Sequence, residues 1–184
     1  YIEIGRVNLA MGDMKTAGEF FQKSIQISEK HSYDRERASA IMFMGIMAME
    51  RGNDQEALEF LESAEEKIRN IQAKGQLLEL NTLKFHLLME TGKPEKAVEV
   101  MEESRELVNE MGTAGGRGRL LAMESRYFFV ESRLQDAISA AEKAADIFRQ
   151  QSLNMALIHC LELLRSLRKE KPGETDAADP DAKL

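Results

Sequence analysis

Four turns set forty residues apart constrain this chain more than any other feature. Met11-Gly12-Asp13, Arg51-Gly52-Asn53, Thr91-Gly92-Lys93 and Glu131-Ser132-Arg133 are followed by Ala17, Ala57, Ala97 and Ala137 in constant register. A period of this length is the signature of an array in which each unit buries its apolar face against its neighbours, and the product is an extended binding surface with no enclosed catalytic pocket.

Each rung reads as a helical hairpin. From Ala17 the apolar or small positions run Phe21, Ser24, Ser28; from Ala57, Leu61, Ala64, Ile68; from Ala97, Met101, Ser104, Val108; from Ala137, Ala141, Ala144, Phe148. That is helical spacing with one face held small or apolar. A second helix-period stretch precedes each turn, as in Ile41, Met44 and Ala48. Gly12, Gly52 and Gly92 suit a left-handed residue at the end of a first helix. Asp13 and Asn53 suit caps of the second, Asn53 with Glu56 as a capping-box pair, and Pro94 suits a first helical turn. The fourth rung lacks the glycine, and Ser132 in a left-handed conformation costs on the order of 1 kcal/mol, so a different turn is expected there. The spacing predicts helices over 1–11 and 14–30, 34–51 and 54–72, 74–91 and 94–111, 117–131 and 134–151, then a capping helix at 153–170. No strand signal competes, and the chain is expected to be all-α.

A net charge of −7 disfavours wholesale attraction to nucleic acid or anionic lipid. The apolar runs are short and broken by charge, which argues against a membrane-spanning helix. Cys160 is the sole cysteine, so no intramolecular disulfide forms, and a reducing, cytoplasmic setting is expected. The chain opens at Tyr1 in what reads as mid-helix, as a piece of a longer protein would. Residues 171–184 are rich in proline and acid, with too little apolar surface to offset ordering, and read as a disordered tail or linker.

With these residues in place, the chain resembles the tetratricopeptide repeat. Tyr1, Ile4-Gly5, Gly12, Ala17 and Phe21 fit its pattern in the first rung, and Met44-Gly45, Gly52, Ala57 and Leu61 fit in the second. Phe85 and Ser125 stand in the slot of Gly5 and Gly45, while Asn8 and Ala48 replace the family's tyrosine. Phe85 is expected to push its two helices apart. The forty-residue period exceeds the family's 34, with the extra residues expected between hairpins, as at Lys30-His31-Ser32-Tyr33-Asp34. The resemblance implies a right-handed α-α superhelix of four hairpins, about 1–33, 34–73, 74–113 and 114–152, closed by the capping helix as one domain over 1–170.

It also implies that first helices line a concave groove. The groove positions are Ile2, Arg6 and Leu9; Met42, Ile46 and Met49; Thr82, His86 and Met89; Ala122, Arg126 and Phe129. Their apolar, methionine-rich centre suits a helix or extended peptide with apolar anchors. It does not suit the carboxylate clamp of chaperone-binding members, because the places matching that clamp's lysines and asparagines, Ile2, Arg6, Met42 and Ile46, are mostly apolar. The expected role is therefore a protein–protein interaction module in a larger regulatory or scaffold protein. A ligand sensor of a bacterial signalling protein and a self-association module are the other readings.

Gly112-Thr113-Ala114-Gly115-Gly116-Arg117-Gly118-Arg119 is expected to be a flexible connector. Arg119 and Arg126, seven residues apart, share one helix face and are the candidate anion contacts. No catalytic constellation, metal set or cofactor site is expected: His31, His86 and His159 lie on different rungs, and Cys160 reads as a buried structural residue. The acids of the second helices, Glu95, Glu99, Glu102, Glu103 and Glu106, read as a solvated outer face.

Overall fold

The computed structural model describes residues 1–169, and the tail at 171–184 lies outside them. In chain order the described helices are α1 (Ile2–Ala10), α2 (Met14–His31), α3 (Asp34–Glu50), α4 (Asp54–Asn70), α5 (Lys74–Glu90), α6 (Pro94–Met111), α7 (Ala114–Val130), α8 (Leu134–Gln150) and α9 (Asn154–Lys169). Consecutive helices pack in pairs, and the fold is an all-α helical repeat. The chain divides into two compact units, residues 1–112 with three hairpins and a second beginning at Thr113 with one hairpin and α9.

Backbone geometry repeats at half the period visible in the sequence. Left-handed residues occur at Gly12, Ser32, Gly52, Gln72, Gly92, Gly112, Ser132 and Ser152, every twenty residues, with φ between 53° and 80°. In seven of these turns the next amide reaches back five residues to a helix carbonyl, as from Asp13 N to Asn8 O at 2.9 Å and from Arg133 N to Phe128 O at 2.8 Å. This Schellman bond satisfies a carbonyl that the helix end leaves orphaned. Two expectations are thereby corrected. Ser132 turns as the glycines do, at φ 59°. The extra residues of the long period are not connector either: Lys30 and His31 finish α2 and Asp34 starts α3, so they lengthen helices while every turn stays short.

The caps divide similarly. Asp13 accepts from Thr16 N at 3.0 Å, and Pro94 occupies the first turn of α6. Asn53 stands at the N-cap of α4, but its amide donates to the Glu56 carboxylate at 3.1 Å and makes no side-chain bond to the helix backbone. The glycine-rich stretch is also corrected. Only Gly112 and Thr113 form the connection; Thr113 caps α7 by accepting from Gly116 N at 3.3 Å, and Gly115, Gly116 and Gly118 are helical. Close packing explains Gly118, since a Cβ there would lie 2.7 Å from the Phe148 ring, while one on Gly115 would lie 3.2 Å from the end of Leu153.

Core size matching runs through the slot that pairs the helices of each hairpin. A Cβ on Gly5 would sit 2.5 Å from the Phe21 ring, and one on Gly45 would sit 3.1 Å from Leu61. In the third hairpin Phe85 fills the slot, fully buried, and Met101 is its partner by register. In the fourth hairpin Ser125 is fully buried and donates its hydroxyl to Ala137 O at 2.8 Å. In the second unit α9 covers α8, with Cys160, Leu164 and Leu167 packed in one cluster with Ala141, Ala144 and Phe148.

Replacing Ser132→Gly relieves a side chain held in left-handed geometry while keeping the turn's hydrogen bonds. Urea denaturation should show a gain of about 1 kcal/mol with an unchanged m-value; a loss of stability would mean that the serine side chain supports the turn.

Candidate functional site

In the first unit α1 touches α3 and α3 touches α5, so the first helices lie side by side. The forty-residue register places Arg6, Ile46 and His86 in one row and Leu9, Met49 and Met89 in the next. Arg6 is exposed, ion-paired with Glu3 at 3.0 Å, and its guanidinium carbon stands 5.5 Å from the centre of the Phe43 ring on α3. Ile46, His86 and Met89 are half-buried. Leu9 packs against Ala17, Phe21 and Met47, and Met49 against Ala48, Ala57, Leu61 and Leu87, each half-buried. These positions present surface from an already packed base.

Met42 is a correction. It is 5% exposed and belongs to the core formed with Ala38, Ile41, Ala64 and Leu77, so it offers nothing to a ligand. Of its row, Ile2 is half-buried, and half-buried Thr82 donates its hydroxyl to Leu78 O at 2.9 Å. In the second unit Ala122 packs against the α8–α9 core, Arg119 and Arg126 are half-buried, and Phe129 is 40% exposed. With Gly115, Gly116 and Gly118 in a helix, the two arginines are not backed by a phosphate-cradling loop.

A polar network escaped the sequence reading. Glu65 on α4 accepts from Lys84 on α5 at 2.5 Å and from Arg69 at 2.6 Å; Arg69 also binds Glu103 on α6, which accepts from fully buried Asn81 at 3.0 Å. Glu103 is thus half-buried and engaged, not part of a solvated outer face. The signal was present in register: Asn81 and Lys84 stand where the earlier rungs have Tyr1 and Ile4, then Ile41 and Met44. Burial alone would raise the Glu65 pKa, but hydrogen bonds from Lys84 and Arg69 outweigh it and hold the carboxyl below its ordinary value. The network straps three helices of two hairpins.

Beside it, at the α4–α5 turn, an open hollow has Ile68, Leu77 and Leu107 as its floor and Arg69 and Lys74 on its rim. Both bases are already neutralised, Arg69 by Glu65 and Glu103, and Lys74 by Glu110 at 2.8 Å. The hollow therefore has little positive charge left for an anion.

His31 stacks on Tyr33 and is exposed; His159 is exposed beside Cys160. Cys160 itself is buried, donates to Ala141 O at 3.2 Å, and burial pushes its thiol up to about 11. A nucleophilic cysteine needs the opposite shift. Among the described residues no three His, Cys, Asp or Glu side chains are grouped to hold a metal ion, and no helix is long and apolar enough to cross a membrane.

Set against known proteins, residues 1–31, the first hairpin, match the family model of the Tetratricopeptide repeat. The whole series of helices is consistent with a repeat protein of that kind. None of the curated proteins matches the sequence.

Two measurements check the polar strap and the thiol. Lys84→Met leaves Glu65 half-buried with one donor fewer and should cost about 1–3 kcal/mol at neutral pH in chemical denaturation. Because the folded pKa of Glu65 is depressed, its contribution is present above the unfolded carboxylate value of about 4.3 and is lost as pH falls through the folded value, so the variant and parent should converge in acid. Cys160 should react with a thiol reagent at neutral pH only as fast as the second unit opens, and rapidly once urea unfolds it; prompt labelling of the native chain would contradict its burial.

Proposed function

We propose that the first-helix row of residues 1–112 receives a peptide or helix of a partner protein, and that the chain serves as a binding module within a larger regulatory or scaffold protein in the cytoplasm. Tetratricopeptide repeats are in general protein–protein interaction modules, and the match of the first hairpin supports carrying that role over. The observation that carries the finer reading is the double row on α1, α3 and α5: Arg6, Ile46 and His86 beside Leu9, Met49 and Met89, five of the six half-buried and the arginine exposed.

Half-burial matters physically. One flank of each side chain is fixed by the core, so binding need not order it from scratch, while the other flank still has apolar area to lose to a partner. Methionine adds adaptability, since its unbranched, polarizable side chain conforms to varied shapes. Such a surface reads apolar anchors at helical spacing. Arg126 and Phe129 are the matching positions of the second unit. A binding role without catalysis also fits the raised Cys160 thiol and the separation of the histidines onto different helices.

The test is capture of partners from an extract by the parent chain and by Met49→Glu and Met89→Glu, with circular dichroism confirming the fold. Burying a new carboxylate at the row should reduce capture by at least ~10-fold, equivalent to about 1.4 kcal/mol. Undiminished capture by both variants would move the site off this row.

A further inference from the structure

The opposite side of α1 carries apolar residues at helical spacing that the repeat itself identifies as a covered position. Ile4 is 47% exposed and Val7 58%. One rung later Val7 corresponds to Met47, 1% exposed, and two rungs later to Leu87, 2% exposed. In each case the cover is the second helix of the preceding hairpin. Met47 packs against Ala17 and Phe21 of α2, and its methyl lies 3.2 Å from where a Cβ on Gly18 would stand. Leu87 packs against Ala57 and Leu61 of α4. Ile4 corresponds to Met44, half-buried on the same α2 cluster, and to Lys84, bound to Glu65 of α4.

We propose that the Ile4–Val7 face is the docking site of one more helix of the α2 and α4 type, the second helix of a repeat hairpin stacked ahead of α1 in the same array. The interface would continue one already made twice in the first unit, between α2 and α3 and between α4 and α5. Its chemistry is specified by those two examples: a small residue followed four positions later by a large apolar one, Ala17 with Phe21 and Ala57 with Leu61. The charges nearest the face, Glu3 and Arg6, are paired with each other, so the match is apolar. In a second copy the α2 and α4 faces of this kind are already occupied by α3 and α5, and that occupant is an outcome of the test below. The face is separate from the Arg6–Leu9 row and does not depend on its role.

The probe is a fluorescent peptide of Met14–His31, held helical by a side-chain bridge between exposed Gln22 and Gln26, because an isolated helix of this length is marginal in water. Titrated into the full chain, it should give saturable anisotropy that weakens at least ~10-fold in Val7→Glu and in Ile4→Glu, both at exposed positions, with circular dichroism as the control that each variant keeps the fold. A Val7→Cys variant should be shielded from a thiol reagent by the same peptide. Absence of saturable binding, equal affinity for both glutamate variants, or a concentration-dependent dimer abolished by Val7→Glu would each overturn the proposal, the last by assigning the face to a second copy.

Discussion

A left-handed residue every twenty positions, followed in seven of eight turns by an amide that reaches back five residues, is the constraint on which the rest of this structure depends. It ends each helix in two or three residues and returns the chain with the same register. Small differences in these turns would be passed to the packing of the following helix, since apolar stripes such as Ala17–Phe21–Ser24–Ser28 meet their partners only if each helix starts at the same phase. The fold accepts serine or glutamine in that conformation at half of the turns, at Ser32, Gln72, Ser132 and Ser152. At those turns the register is kept against a local cost on the order of 1 kcal/mol each.

Within that frame, the helices of a hairpin are spaced by what fills a single slot. Glycine at 5 and 45 admits the side chains of Phe21 and Leu61, serine at 125 is buried with its own hydrogen bond, and phenylalanine at 85 occupies the space itself. The third hairpin is the odd one in a second respect, since Asn81 and Lys84 bring polarity to positions that are apolar elsewhere. Glu65, Arg69 and Glu103 answer them. A buried polar strap of this kind is weak evidence for stability in itself, because desolvation offsets much of the Coulomb gain. Its consequence is specificity of stacking: α5 fits a neighbour that offers a carboxylate at position 65 and fits poorly against an apolar one.

The candidate site follows from the same rule. In the first unit the first helices adjoin one another, so equivalent positions form rows, and a row half-covered by second helices leaves anchors that are rigid on one side and open on the other. Met42 shows the limit of reading such rows from pattern alone. By register it belongs with Arg6 and Met49 on a binding face, yet it sinks into the cluster around Ile41 and Leu77. A methionine at a stripe's edge can turn to either side, and only the neighbours' volumes settle which.

The sequence by itself determined the all-α hairpin array, the first and second helix of each rung, the cap at Asp13, the first turn at Pro94 and the burial of Cys160, because each rests on local periodicity or on one residue's backbone preference. Only the tertiary structure decided that the array steps every twenty residues. Ser32, Gln72 and Ser152 carry no local mark of left-handed geometry, and packing on both flanks imposes it. The same holds for Gly115, Gly116 and Gly118, which read locally as a loop and are drawn into α7, where the Phe148 ring leaves no room for a side chain at 118. It holds too for the strap around Glu65, whose partners lie on three helices and meet only once those helices pack.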